Sequence, residues 1–281
     1  MHCHGVSGDG AGPTAEYFTI KPRDYRLGIF KFTSTTQDLT ASSDDLYRII
    51  KLGIPGTYMP SFMLLPDEET RVIAEYVRWL AMRGQMEKKY VDEFRPDFGV
   101  ERLETEESQE VETEFESSWA EGAQDTRERI EGELADSWSA SDKPEAIVIP
   151  PESRQPATAE SIRNGRKLFL SKAAACSNCH GQQALGNGPN TTEYSKNKAG
   201  EEYDQPGLYD EWGNPLKPRN LTSGVYRGGR RPVDLYRRIY AGIKGAEMPA
   251  AGNKLKPGEI WDLVNYVLSI PVSGVEPEAK H

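Results

Sequence analysis

Histidine and cysteine are nearly missing from this 281-residue chain, which has four of the first and three of the second. An odd number of cysteines, at positions 3, 176 and 179, argues against a disulfide framework and for cysteine chemistry of another kind. No stretch approaches the ~18 consecutive apolar residues of a membrane-spanning helix. Basic residues are outnumbered by acidic ones, 34 to 44, and the net charge of -10 is opposite to that of a nucleic-acid binder. Apolar residues reach only 37%, with 26 glycines and 19 prolines, so cores form over part of the length and loops fill the rest. The length suits two domains better than one.

What is present is unevenly placed. Between Glu101 and Asp142 fifteen acids face three arginines, Arg102, Arg127 and Arg129, a balance of -12. From Lys217 to Arg238 the pattern reverses, with Lys217, Arg219, Arg227, Arg230, Arg231, Arg237 and Arg238 against Asp234 alone. The chain also contains a repeat. Asp45-Leu46-Tyr47-Arg48 recurs as Asp234-Leu235-Tyr236-Arg237, and the match continues through Ile50/Ile239, Gly53/Gly242, Ile54/Ile243, Gly56/Gly245, Met59/Met248 and Pro60/Pro249, ten of sixteen positions at an offset of 189. Cys3-His4-Gly5 with Gly10, Gly12 and Pro13 matches Cys179-His180-Gly181 with Gly186, Gly188 and Pro189 at an offset of 176, and Pro22-Arg23 matches Pro218-Arg219 at 196. The second copy therefore carries twenty extra residues between Pro189 and Pro218. Each copy reads as one domain with its landmarks in one order.

Apolar spacing predicts helices rather than strands. Ile162, Leu168 and Phe169 lead helically into Cys176; Asp234 to Tyr240 reads as a short helix; Ile260, Val264, Val267 and Leu268 line one face of a last helix after Pro257. The first copy has the matching last helix from Asp67 to Met82. Between the copies, Val111, Phe115 and Trp119 and then Ile130, Leu134 and Trp138 step by four, with eleven residues between the triplets, which keeps one stripe in phase along a helix. Pro150, Pro151 and Pro156 predict an extended approach to the second copy. The resulting division is 1–86, an acidic linker over 87–157, 158–272, and a tail over 273–281.

Cys176-Ser177-Asn178-Cys179-His180 fits the C-x-x-C-H haem-attachment pattern. Two thiols two residues apart can each add to a vinyl group on one porphyrin edge, while the adjacent imidazole reaches the iron from below. A zinc site would need four ligands, and the only other Cys/His pair is the repeat's own equivalent. A thiol redox motif leaves the following histidine without a role. For the sixth iron ligand, Met248 and Met59 alone among six methionines repeat in register, each in a loop after a glycine and before a proline. Met63 is the local rival to Met59 and has no counterpart. His/Met ligation closes both axial positions, which favours electron transfer over substrate chemistry.

With these motifs in view, both halves resemble class I c-type cytochromes, and the whole resembles a dihaem cytochrome c of the bacterial respiratory kind, over 1–86 and 158–272. The resemblance implies an all-α fold of two such domains joined by the acidic, partly helical linker, and two covalently attached haem c groups. It implies Cys3, Cys176 and Cys179 as attachment points and His4, Met59, His180 and Met248 as iron ligands. Pro22, Arg23, Pro218 and Arg219 take the place of the family's haem-supporting carbonyl and propionate-binding pair. Gly165, Phe169 and Tyr266 stand where the first and last helices of such a domain cross, with Tyr76 as the first-domain counterpart of Tyr266.

The first copy departs from the pattern, because its other cysteine would stand before Met1. The expectation is a sequence beginning at an internal methionine and lacking a helix, a cysteine and an export signal; a haem held by Cys3 alone is the alternative. The functional expectation is one-electron transfer between redox protein partners in the periplasm or an equivalent compartment, as a shuttle or as a haem subunit of a respiratory or dehydrogenase complex, a membrane complex included. The chain is expected to be a carrier rather than an enzyme, and not to bind nucleic acid. The alternative is a dihaem enzyme of the peroxidase type, with one iron open to substrate. The arginines at 227, 230, 231, 237 and 238 are expected to form a docking patch for an acidic partner, with the acidic linker either spacing the domains or masking that patch.

Overall fold

A computed structural model describes residues 2–105 and 108–273. The expected tail lies outside the described residues from position 274 onward. The architecture is all-α, with one two-stranded ribbon among the described residues, and follows the order of the repeat. In the first copy the Cys3-His4 loop leads to α1 (Ser43–Leu52) and, after the Met59 loop, to α2 (Asp67–Phe98). Ser42 starts α1 with a reciprocal capping box, its side chain accepting from the Asp45 amide while the Asp45 carboxylate accepts from its own. Leu46 and Ile50 of α1 and Ala74 and Ala81 of α2 close a small core with Phe30 and Ala41.

That core is completed by Trp138, which belongs to the expected linker. Instead of ending at Met82, α2 runs to Phe98 and turns back through α3 (Val100–Thr105) into α4 (Ser108–Ser141), which packs antiparallel on it. The predicted stripe is real for most of its length. Val111, Ile130, Leu134 and Trp138 are buried, and the Trp138 indole donates to Gln85 Oε1 at 2.8 Å. Phe115 and Trp119 join Phe94 and Phe98 in an aromatic cluster near the turn, where Trp119 stays 41% exposed. Gly122 and Gly132 face open space, so tertiary packing overrides their weak helix propensity.

The acidic charge is laid along this hairpin in pairs: Lys89–Glu133, Arg129–Glu93, Arg102–Glu114 and Arg78–Asp142. The acidic stretch thus folds onto the first domain, not onto the arginines of the second. After α4 the chain bridges back to the first domain, with the Val148 amide donating to the Ser34 carbonyl at 2.8 Å, before the proline-rich extended segment.

The second copy holds α5 (Ala159–Leu170), α6 (Cys176–His180), the inserted ribbon of β1 (Leu208–Tyr209) and β2 (Pro215–Leu216), α7 (Pro232–Ala241) and α8 (Pro257–Ser273). Its centre is the crossing of α5 with α8. Gly165 permits that crossing, because a Cβ there would collide with the Asp262 carbonyl and with Tyr266. Phe169 and Tyr266 meet edge to face at 5.4 Å. Tyr76 does not repeat this role: it is 53% exposed and stacks on Trp79, since no described helix crosses α2 on that side.

The two copies meet through the repeated Asp-Leu-Tyr-Arg segments. Arg48 donates to Asp234 at 3.1 Å, and Arg237, which holds the place of Arg48 in the other copy, donates to the Val148 carbonyl within the field of Asp45. Arg48 thus pairs with the opposite copy's aspartate, whereas Arg237 binds a backbone carbonyl and only feels the charge of Asp45.

Candidate functional site

Both histidines are held the same way. His4 Nδ1 is 3.0 Å from the Arg23 carbonyl, and His180 Nδ1 is 3.0 Å from the Arg219 carbonyl. With a carbonyl as partner Nδ1 must carry the proton, which leaves Nε2 with a free lone pair as a metal ligand. Burial, the largest influence on each ring, lowers the imidazole pKa against the opposing pull of that carbonyl. Both rings are therefore neutral near pH 7, as a ligand must be. The Pro-Arg segments thus contribute a carbonyl, from the arginine itself.

The surrounding loops are superimposable copies in their hydrogen bonds. Gly10 donates to the His4 carbonyl and Gly186 to that of His180; Gly12 donates to Cys3 and Gly188 to Cys179. Gly10 and Gly186 sit at φ of 76° and 79°, and a side chain at either would run into the carbonyl of Pro22 or Pro218. The Thr14 hydroxyl and the Asn190 amide, at equivalent positions, approach Cys3 Sγ and Cys179 Sγ at 3.5 and 3.7 Å.

Cys176 opens α6, one turn that carries the whole motif, Cys179 lies near its end, and neither is in a disulfide. Ala175 begins that turn in the left-handed region at φ 52°. Burial pushes the Cys176 thiol up to about 11 and raises that of Cys179. These are protonated thiols, unlike the activated thiolates of a redox C-x-x-C.

The two methionine loops are also copies. Ile54 donates to the Met59 carbonyl and Ile243 to that of Met248, and Phe62 and Ala251 then donate back to Ile50 and Ile239. Met59 packs against the first core, whereas Met63 is 62% exposed, so the loop turns the first inward and the second out.

Whether these residues suit a porphyrin shows in what they leave unsatisfied. Trp212 Nε1 and Arg227 Nε are buried without a partner, and buried donors of this kind require acceptors such as haem carboxylates. Among the described residues no three His, Cys, Asp or Glu side chains gather to hold a bare ion. The donor set fits a large planar ligand with acidic arms. Arg219 itself donates from Nε to the Val225 carbonyl and lies against Gly56 of the opposite copy.

The expected arginine patch is not there as such. Arg238 is buried, donating to the Asp234, Arg227 and Gly229 carbonyls, and Arg237 is tied to Val148. Arg231 is exposed but paired with Asp234, which leaves Arg230, of the five, exposed and in no ion pair among the described residues. Capping carbonyls and holding the domain contact consume the charges that a docking surface would need. Trp212 and Tyr25, which stacks on His4 at 4.6 Å, were not singled out by sequence reasoning, because neither has a counterpart of its own type in the other copy.

Residues 1–81 and 162–271 match the family described as Cytochrome c. No curated protein matches the chain. Among solved structures, a chain of the Kuenenia stuttgartiensis reducing HAO-like protein complex has the same fold, with a TM-score of 0.65 and 24% identity over 95% of this chain and 90% of that one. No helix among the described residues is long and apolar enough to cross a membrane. Matched over both copies, this chain belongs to the cytochrome c family, whose members transfer electrons through covalently bound haem c.

Proposed function

We propose that the chain carries two haem c groups with His/Met ligation and passes single electrons between protein partners, as the haem subunit of an extracytoplasmic redox complex. The observation that carries this reading is the duplicated hydrogen bond, His4 to Arg23 and His180 to Arg219, each at 3.0 Å. A bound haem supplies an iron that alternates between ferric and ferrous and so carries one electron.

The chain's own residues do the rest. Cys176 and Cys179, and Cys3 in the first domain, would hold the haem covalently, each thiol adding across a vinyl group with sulfur on one carbon and the thiol hydrogen on the other. The arginine carbonyls fix the histidine tautomer and ring plane, and so keep Nε2 aimed and basic. Met59 and Met248 would hold the iron through their thioethers, which would raise the potential and keep substrates off the metal. Support for a place in a complex comes from the similar fold of a subunit in the reducing HAO-like complex of Kuenenia stuttgartiensis, and the charged helical hairpin offers a partner a second surface.

The test is the haem content of chain produced in a host with haem-attachment machinery. Two haems per polypeptide, resistant to acid-acetone extraction, are expected in the pyridine haemochrome assay. One haem per chain overturns the reading for the first domain, and peroxide turnover with a persistent high-spin signal overturns the carrier reading in favour of an enzyme.

A further inference from the structure

The domains meet so that the methionine loop of each touches the segment that fixes the other's histidine. In one direction the contact is direct. Gly56, three residues before Met59, lies under the guanidinium of Arg219, the residue whose carbonyl meets His180, and a Cβ on Gly56 would come within 2.9 Å of Arg219 Nη2. Arg23 and Gly245 hold the equivalent places in the other direction, and there Trp212 stands between them. The Arg23 guanidinium lies over the Trp212 ring, 3.9 Å from its centroid. Gly245, three residues before Met248, closes on the outer edge of the same ring, where a Cβ would come within 2.9 Å of Trp212 Cζ3.

Trp212 belongs to the twenty residues that the first copy lacks, and its position is over-determined. It sits in the turn that joins β1 to β2, where the Asp210 carboxylate accepts from the amides of Trp212 at 3.1 Å and Asn214 at 2.9 Å. A turn tied this way holds its tip rigidly. Asp210 also pairs with Lys31 of the first domain at 3.5 Å. On the other side the ribbon is tied to the Met248 loop, the Glu211 amide donating to the Gly245 carbonyl at 3.4 Å and the Tyr209 amide to the Glu247 carboxylate at 3.0 Å.

A contiguous path therefore runs from His4 through the Arg23 carbonyl and guanidinium to Trp212, and on to the loop of Met248. The Arg48–Asp234 pair already joins the domains elsewhere, so the insertion is not needed merely to hold them together. Its contacts go to the two segments that carry candidate iron ligands.

We propose that Trp212 is a positioning residue for both iron sites, seating the Met248 loop on the Arg23 segment that orients His4, so that the two haems titrate as a coupled pair. This rests on the reading of both domains as bearing His/Met haems. The signs follow from the ligands. Without the ring the Met248 loop is less firmly held, and a weaker thioether bond lowers the second haem's potential. Arg23 is freed as well, and a looser carbonyl on Nδ1–H leaves the His4 imidazole a weaker donor, which favours ferrous iron and raises the first haem's potential.

The experiment is a redox titration of the haem-loaded Trp212→Ala variant, with the waves assigned by Met59→Ala, which lowers the first haem's wave most. The second haem's equilibrium is expected to shift about fivefold toward ferric and the first haem's about fivefold toward ferrous. The thioether-to-iron band should weaken in step with the second wave, and Trp212→Phe, which keeps a ring in place, should restore both. Unmoved waves, a shift in one alone, or two waves displaced in the same direction, as a general loosening of the fold would displace them, overturn the proposal.

Should Trp212→Ala fail to fold, NMR of the unmodified protein during reductive titration gives the answer. The Trp212 indole resonance is expected to shift in two steps, one with each haem, and a resonance that follows a single wave overturns the proposal. A haemochrome count of one haem per chain, or no thioether band in the unmodified protein, would instead remove the His/Met dihaem reading itself, which keeps the two failures distinguishable.

Discussion

At the scale of single residues, the protein's chemistry depends on orientation more than on reactivity. His4 and His180 are neutral and fixed by carbonyls, and Cys176 and Cys179 are protonated and unpaired. These side chains are held in place rather than activated, as the proposed electron carrier requires. Met59→Ala and Met248→Ala should each remove about half of the thioether-to-iron charge-transfer band of the oxidised protein and lower the affected potential, while Met63→Ala leaves both intact. Absorbance in the near infrared with a redox titration checks this. The exposed position of Met63 explains why the third variant should be silent.

At the scale of elements, α5 and α8 show what a small residue does at a crossing. Gly165→Val places atoms where the Asp262 carbonyl already lies, and the expected cost is about 3 kcal/mol in urea unfolding of the second domain. The α2–α4 hairpin answers a different question. The periodicity of Val111, Ile130, Leu134 and Trp138 was readable as one helical stripe, yet its partner was not, because the stripe matches many apolar faces equally well. The structure assigns it to an α2 extended to Phe98. Trp138→Ala should cost the first domain about 3–5 kcal/mol, whereas Trp119→Ala, at the exposed end, should cost less than about 1 kcal/mol. Deleting residues 101 to 142 is likewise expected to destabilise the first domain and not merely shorten a spacer, since it removes Trp138 from that core.

At the scale of the whole molecule, the repeated Asp-Leu-Tyr-Arg segment joins the halves. A double-mutant cycle between Arg48→Ala and Asp234→Ala should give a coupling of about 1–2 kcal/mol in the unfolding of the intact chain. The same pair sets an acid limit. Burial, the largest single influence on Asp234, pushes its carboxyl up, but Arg231 and Arg48 together outweigh it and hold the folded pKa below the model-compound value of 3.8. A carboxylate depressed in the folded state stabilises fully above its unfolded value and loses that contribution as pH falls through the folded one. The stability gap between the unmodified protein and Asp234→Asn should therefore be constant near neutrality and close only below about pH 4. Unfolding midpoints across that range measure it. A gap that closed at pH 6 would assign the effect to another group.

The sequence by itself determined the duplication, the C-x-x-C-H motif, the register that sets Met59 against Met248, and the helical character of both halves and of the stripe between them. Each of these is local: a motif needs its neighbours at a fixed spacing, a helix needs its period, and a repeat declares itself by register. Only the tertiary structure decided what meets what. It turned Tyr76 outward where Tyr266 is buried, because crossing helices and not residue type create that contact. It spent the arginines of the basic stretch on carbonyls and on Asp234, and it laid the acidic stretch against α2, because a charge pattern states a need for partners without naming them. It brought Trp212 to Arg23 across 189 residues of chain, a contact that follows from the docking of two domains and that no local spacing encodes.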